Sequence, residues 1–209
     1  MIESVVDTLS RRRFETYLRV GGHDVGRALA LYAWNAELGA AFHVLLQAVE
    51  VAVRNRIATA LAAVWGDEWW RHPQFVAVVD RDRTRDLDLV CVRLRRQNKQ
   101  EETDQVIASL SFGFWVGMLD GRYNQHVWSR HLRSAFPGLP AEINRRKLHS
   151  TVQQVAWLRN RIFHHEPLLK IDAMQRYGDM MHLLRWICAG TADWIVPQCS
   201  VPAVVRRKP

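Results

Sequence analysis

The stretch AAFHVLLQAVEVAVRNRIATALAAVW, which covers residues 40–65, decides the fold. Gly66 is placed to end this predicted helix. Charged residues interrupt the apolar run before it reaches 18 residues, so we expect a core helix of a soluble protein rather than a membrane span. Its apolar side chains recur at steps of three and four residues, the spacing of one helix face: Phe42, Leu45, Leu46, Val49, Ala52, Val53 and Ile57.

Helical periodicity continues on both sides of this stretch, whereas strand-like alternation is scarce. We expect a break near residues 35–39, because Gly39 weakens a helix. We also expect one domain over residues 1–199 and a flexible tail over residues 200–209. The sequence predicts an all-α fold, with helices over residues 3–18, 25–65, 74–100, 104–108, 111–119, 123–136, 140–166 and 172–189.

The composition favours a polyanionic partner. Lys and Arg number 29 against 21 Asp and Glu, a net charge of +8, and nucleic acid is expected before a membrane surface. The three cysteines lack a C-x-x-C pair, which indicates buried free thiols in a reducing compartment. The polar N-terminus has no signal-peptide core, so the expected location is the cytoplasm, without membrane attachment. We expect an RNA-facing surface built from later arginines: Arg122, Arg130, Arg133, Arg145 and Arg146.

Ionisable groups are concentrated in the segment WLRNRIFHHEP, residues 157–167. On an α-helix Asn160 and His164 share one face, and Arg161 and His165 share the neighbouring face. We expect no metal site and no cofactor here, because H-E-x-x-H is absent and adjacent histidines on a helix point about 100° apart.

This set of side chains suits cleavage of RNA without a metal ion. An imidazole transfers protons near neutral pH. The planar guanidinium of Arg159 stays charged, holds phosphate oxygens in a bidentate way, and can bend toward His164. Asn160 is expected to orient the histidine or to bind a phosphate oxygen.

The segment resembles a known family. Arg159-x4-His164, with Asn160 directly after the arginine, is similar to the R-x4-6-H motif of the HEPN superfamily, whose members are helical bundles and include many metal-independent ribonucleases. The longer string LRNRIFHHEP resembles the LRNRIAHHEP signature of Abi-like (abortive infection) proteins. Two upstream segments fit the same family: EVAVRNRI at residues 50–57 and SFGFWV at residues 111–116.

The resemblance implies a HEPN-like helical bundle with additional helices and a metal-independent endoribonuclease, a toxin that arrests growth in phage defence. It implies that Arg159 and His164 are the catalytic pair with Asn160 assisting, while His165 is a second candidate at R-x5-H spacing. It further implies a homodimer, RNA as substrate, and an RNA or protein antitoxin. Phe163 stands where the family more often has a small residue. The rival interpretation is a non-catalytic RNA- or protein-binding module with the same fold.

The tetrapeptide RNRI occurs twice, at residues 54–57 and 159–162, but no histidine follows the first copy. Glu50 precedes Arg54 by four residues, which allows an ion pair along one helix. We expect this helix to pack against the later one, where Glu50 would orient Arg159 or a histidine; a purely structural salt bridge is the alternative. The other residues expected to support the site are Asn55, Arg161 and Glu166.

Overall fold

The computed structural model describes the backbone of residues 2–209 and the side chains from Ser4 onward, and the fold is all-α with no strand in that range. Short 3₁₀ or π turns occupy Trp69–Arg71, Gly121–Tyr123, Asn124–Trp128, Leu132–Ala135 and Val196–Gln198. The α-helices are α1 Ile2–Thr8, α2 Arg11–Val20, α3 Val25–Trp65, α4 Pro73–Val78, α5 Arg81–Arg96, α6 Thr103–Ser109, α7 Phe112–Gly117, α8 Arg145–Phe163, α9 Ala173–Ile187, α10 Ala189–Ile195 and α11 Val201–Arg206.

Helix α3 is the central element and contacts α2, α7, α8, α9 and α11. Asp24 caps its start by accepting a hydrogen bond from the Arg27 amide, and Gly66, at φ 82°, ends it as predicted. The predicted break near residues 35–39 is wrong, because burial of Leu38 and Phe42 on either side of Gly39 offsets the low helix propensity of glycine. Helix α3 is long and apolar enough to cross a membrane, but the core helices of soluble proteins often meet the same criterion of length and composition.

Helix α8 runs antiparallel to α3, since Phe163 lies beside His43 whereas Arg159 lies beside Glu50. Its predicted start at Pro140 is wrong: Asn144 caps the helix by accepting a hydrogen bond from the Lys147 amide at 2.9 Å. Residues 140–144 form a turn before it. The helix also ends three residues before the predicted Glu166, in a turn that positions the candidate site.

The predicted flexible tail is wrong as well. Residues 201–206 form α11, where Val201 and Val204 are buried against the rest of the core. The Trp34 indole N–H donates a hydrogen bond to the Val204 carbonyl at 2.9 Å. Two valines one turn apart supply a small apolar face, and contact with α3 and α9 stabilises a helix too short to persist alone. The expected domain boundary at residue 199 therefore cuts through the core.

Three other predicted helices are divided or irregular. Residues 3–18 belong to α1 and α2, separated at Ser10, whose φ is 72°. The charged helix over residues 74–100 is interrupted before α5, where Asp80 accepts a hydrogen bond from the Arg83 amide. Residues 123–136 form 3₁₀ and π turns, because buried side chains there lie on more than one face. Cys188 is exposed rather than buried, although all three thiols are free as expected.

Candidate active site

The end of α8 is closed by a left-handed residue. The His165 amide donates to the Ile162 carbonyl at 3.0 Å, and the Glu166 amide donates to the Arg161 carbonyl at 2.8 Å. These two bonds form a Schellman motif, in which the left-handed position is usually glycine. Here it is His165, with φ 55°. The chain therefore places an imidazole where a side chain strains the backbone.

Arg159 is held in place one turn before this motif. Its Nε donates to the Glu50 carboxylate at 3.1 Å, and one terminal nitrogen donates to the Asn160 side-chain oxygen at 3.3 Å. The guanidinium carbon lies 4.5 Å from the centre of the Phe163 ring, a cation–π contact. The side chain is 36% exposed, so part of it remains accessible to a ligand.

The predicted contact between the two RNRI helices is present, and Glu50 reaches Arg159 rather than a histidine. The expected ion pair between Glu50 and Arg54 is not formed in residues 4–209. Arg54 instead donates to the Asn55 side-chain oxygen at 3.2 Å. Arg54 and Asn55 line a separate groove beside α6, of about 770 Å³, whose other polar side chains include Asp67, Glu102 and Asp104.

Arg161 and Glu166, predicted to support the site, brace the turn that ends α8. Their side chains form a salt bridge at 3.2 Å, and Arg161 also donates to the Pro167 carbonyl at 2.9 Å. The Arg161 guanidinium lies 5.1 Å from the Trp157 ring centre. These contacts leave Arg161 less open to a phosphate than Arg159.

The structure does not bring all the predicted catalytic groups into one groove. Asn160 lines a groove of about 500 Å³ between α7 and α8, together with Trp157. His165 lines a different groove, of about 690 Å³, between α3, α2 and the end of α8. His164 is exposed at the end of α8, and within residues 4–209 neither imidazole forms a hydrogen bond or ring contact with Arg159. The predicted convergence of arginine, amide and imidazole is therefore incomplete in one copy of the chain.

The groove of about 690 Å³, which we call the His165 groove, contains residues that the sequence analysis did not identify. His43 is the main one, because its ring lies 5.9 Å from that of Phe163. The signal was available: His43 precedes Glu50 by seven residues and so lies on the same face of α3. Burial raises the pKa of Tyr17 to about 12, so this phenol stays neutral. The lining residues are Arg13, Tyr17, Tyr32, Asn35, Ala36, Gly39, Ala40, His43, Ile162, Phe163, His165, Glu166 and Leu168.

Of the five arginines expected to face RNA, three bind partners within the protein and two are exposed. Arg122 forms salt bridges with Asp80 at 2.6 Å and with Asp120 at 3.2 Å. The pKa of the Asp120 carboxyl is lowered, mainly by the hydrogen bond that the Arg122 backbone N–H donates to it. Arg133 and Arg145 donate to backbone carbonyls. The two remaining members are exposed: Arg130 and Arg146.

A fourth groove, of about 670 Å³, lies at the start of α8, with Arg133, Arg145 and Arg146 in its lining. Since each helical residue advances the chain by 1.5 Å, this basic groove lies roughly 27 Å from the end of α8.

Within residues 4–209 no group of three or more His, Cys, Asp or Glu side chains is arranged to hold a metal ion. The candidate site is therefore defined by one anchored guanidinium, one strained histidine and an open groove between helices. Comparison of the chain with protein-family models, curated proteins and solved structures finds no match.

Proposed function

We propose that this chain is a metal-independent endoribonuclease of the Abi-like type within the HEPN superfamily. One observation carries the proposal: Glu50 fixes the partly exposed side chain of Arg159 near the helix end that also presents His164 and His165. A fixed cation and neutral-range imidazoles are the two requirements for cleaving a phosphodiester without a metal. The net charge of +8 favours RNA as the partner.

The proposed reaction uses only the 2′-hydroxyl of the RNA as nucleophile. A neutral imidazole takes the hydroxyl proton while the oxygen attacks the neighbouring phosphorus. The bond to the 5′-oxygen breaks, and an imidazolium donates a proton to that leaving oxygen. The products are a 2′,3′-cyclic phosphate and a 5′-hydroxyl. Arg159 stabilises the charge that grows on the non-bridging oxygens.

We further propose that the active form is a homodimer in the cytoplasm. Trp157, Asn160 and His164 lie on one exposed stripe of α8, with Trp157 42% exposed. A two-fold axis through this face would bring His164 of one copy toward Arg159 of the other, which would supply the convergence that a single copy lacks. In cells such an enzyme would act as a growth-arresting toxin in phage defence, neutralised by an RNA or protein antitoxin.

A non-catalytic RNA-binding module is the second candidate function. The separation of Asn160 from His165, in two different grooves, favours it. Both candidates require a basic surface, and only the first requires the imidazoles.

The two candidates are separated by incubating the purified protein with RNA in excess chelator. We expect the wild type to cleave and to leave cyclic phosphate ends. Arg159→Ala and His164→Ala should both lose cleavage, whereas His182→Ala, which replaces an exposed histidine on α9, should not. Retarded but intact RNA would identify the binding module. Growth arrest by the wild type alone, and not by His164→Ala, would support the toxin role.

A further inference from the structure

The His165 groove presents two imidazoles to the same space. His43 enters from α3 and His165 from the turn after α8, and both side chains are exposed. The Phe163 ring links this groove to the anchored arginine, since His43 contacts the ring edge at 5.9 Å and the Arg159 guanidinium lies over it at 4.5 Å. The His43 imidazole and the Arg159 guanidinium thus contact the same aromatic ring.

His165 occupies its position against the backbone preference. A left-handed conformation is strained for a residue with a Cβ, whereas glycine adopts it without strain. Within residues 4–209 the His165 side chain forms no hydrogen bond or ring contact that would compensate. Ser10, His23 and Asn98 also have positive φ, so the strain at His165 supports a functional role only together with its place in the groove.

The shape and charge of the groove suit a nucleotide. Ala36 and Ala40 are small, exposed residues of α3 along the groove, and the volume of about 690 Å³ is in the range of ligand sites. Tyr32 and Phe163 supply rings on which a base can stack.

The lining carries one guanidinium and one carboxylate, and the carboxylate already has a partner. Arg13 adds a guanidinium to the two imidazoles, while Glu166, the carboxylate of the lining, is paired with Arg161. An anionic ligand with an aromatic base therefore matches this groove better than a cationic or purely apolar ligand.

The geometry points to the His165 groove as the seat of the scissile nucleotide, with His43 and His165 as the two proton-transfer groups; this inference rests on the proposed ribonuclease function. In the proposed dimer His164 would then hold the phosphate together with Arg159 of the other copy, rather than transfer a proton. One neutral imidazole takes the 2′-hydroxyl proton and becomes an imidazolium. The other, protonated at the start, gives its proton to the departing 5′-oxygen and becomes neutral. The pair is restored when protons exchange with water, so no other reactant is required.

The first test replaces each imidazole by a side chain of similar size that does not titrate near neutrality. His43→Gln and His165→Gln should each slow cleavage by about 100-fold or more. His182→Gln is the matched control and should cleave at the wild-type rate. A second substrate carries sulfur in place of the bridging 5′-oxygen, because a thiolate leaves without being protonated. We expect this substrate to restore the rate of one of the two variants, the one lacking the acid, and not of the other.

The second test fills the groove without touching either imidazole. Ala40→Leu adds bulk at an exposed position on α3 that lines the groove, and it should lower both cleavage and affinity for an uncleavable 2′-deoxy oligonucleotide about tenfold or more. Ala33→Leu makes the same change at an exposed α3 position outside that lining and should leave both unchanged.

The outcomes separate this inference from the function on which it rests. A wild type that leaves RNA intact overturns both. If the wild type cleaves and His164→Ala is inactive, while His43→Gln and Ala40→Leu cleave normally, only the groove assignment is wrong. Restoration of both histidine variants, or of neither, by the sulfur substrate would also overturn the assignment of an acid and a base.

Discussion

Replacement of His165 by glycine should make the protein more stable and less active. His165 has φ 55° in the motif that ends α8, a conformation that glycine adopts freely. Its side chain is exposed and, within residues 4–209, forms no hydrogen bond. His165→Gly therefore removes strain and little packing, while it deletes a proposed proton-transfer group.

The expected size of the effect follows from two opposing terms. Relief of the left-handed strain is worth roughly 1–2 kcal/mol, and the greater freedom of glycine in the unfolded chain costs roughly 0.5–1 kcal/mol. The free energy of unfolding should therefore rise by roughly 0–1.5 kcal/mol, the difference between these two ranges. Loss of an acid–base group should lower the cleavage rate about 100-fold or more.

His23 provides a matched control, because it is a second exposed histidine with positive φ, 64°, located after α2. His23→Gly should give a similar gain in stability and cleave RNA at the wild-type rate. Stability is measured by urea unfolding followed by tryptophan fluorescence, and activity by release of a fluorescent RNA fragment in chelator. A loss of stability in His165→Gly, or full activity in that variant, would refute the reasoning.

Three further predictions follow from other contacts. Glu50→Ala should lower the cleavage rate on the order of 100-fold, because Arg159 loses the acceptor that holds its Nε at 3.1 Å and a misplacement of about 1 Å has that effect. Unchanged steady-state kinetics would contradict this expectation. Deletion of residues 200–209 should lower the free energy of unfolding by about 3 kcal/mol, because two buried valines are removed and the indole N–H of Trp34 loses its acceptor. Urea titrations measure this change, and a value near zero would restore the flexible-tail interpretation. Burial lowers the pKa of His149 below its usual 6.5, so at lower pH the unfolded chain binds more protons than the folded chain. The contribution of His149 to the free energy of unfolding is therefore fully present above about pH 6.5 and is lost as the pH falls. His149→Gln should flatten this dependence in unfolding curves at neutral pH and near pH 5, and an unchanged slope would exclude His149 as its source.

The sequence by itself was sufficient to predict where the long, strongly periodic helices lie. The apolar face of residues 40–65, the Asp24 cap and the Gly66 end are local features, and local backbone physics acts on them in the same way in any fold. The pairing of the two RNRI helices through Glu50 and Arg159 was also predictable, because a charge on a largely apolar helix requires a partner.

Contacts between distant residues decided the rest. Continuity of α3 through Gly39, folding of residues 201–206 and the irregular turns over residues 123–136 each depend on burial against other elements, which outweighs helix propensities of at most about 1 kcal/mol per residue. Tertiary packing also placed the predicted catalytic residues Asn160 and His165 in two different grooves. A helical stripe predicts which side chains of α8 share a face, but only packing against α2 and α3 determines that His165 shares a groove with His43 rather than with Asn160.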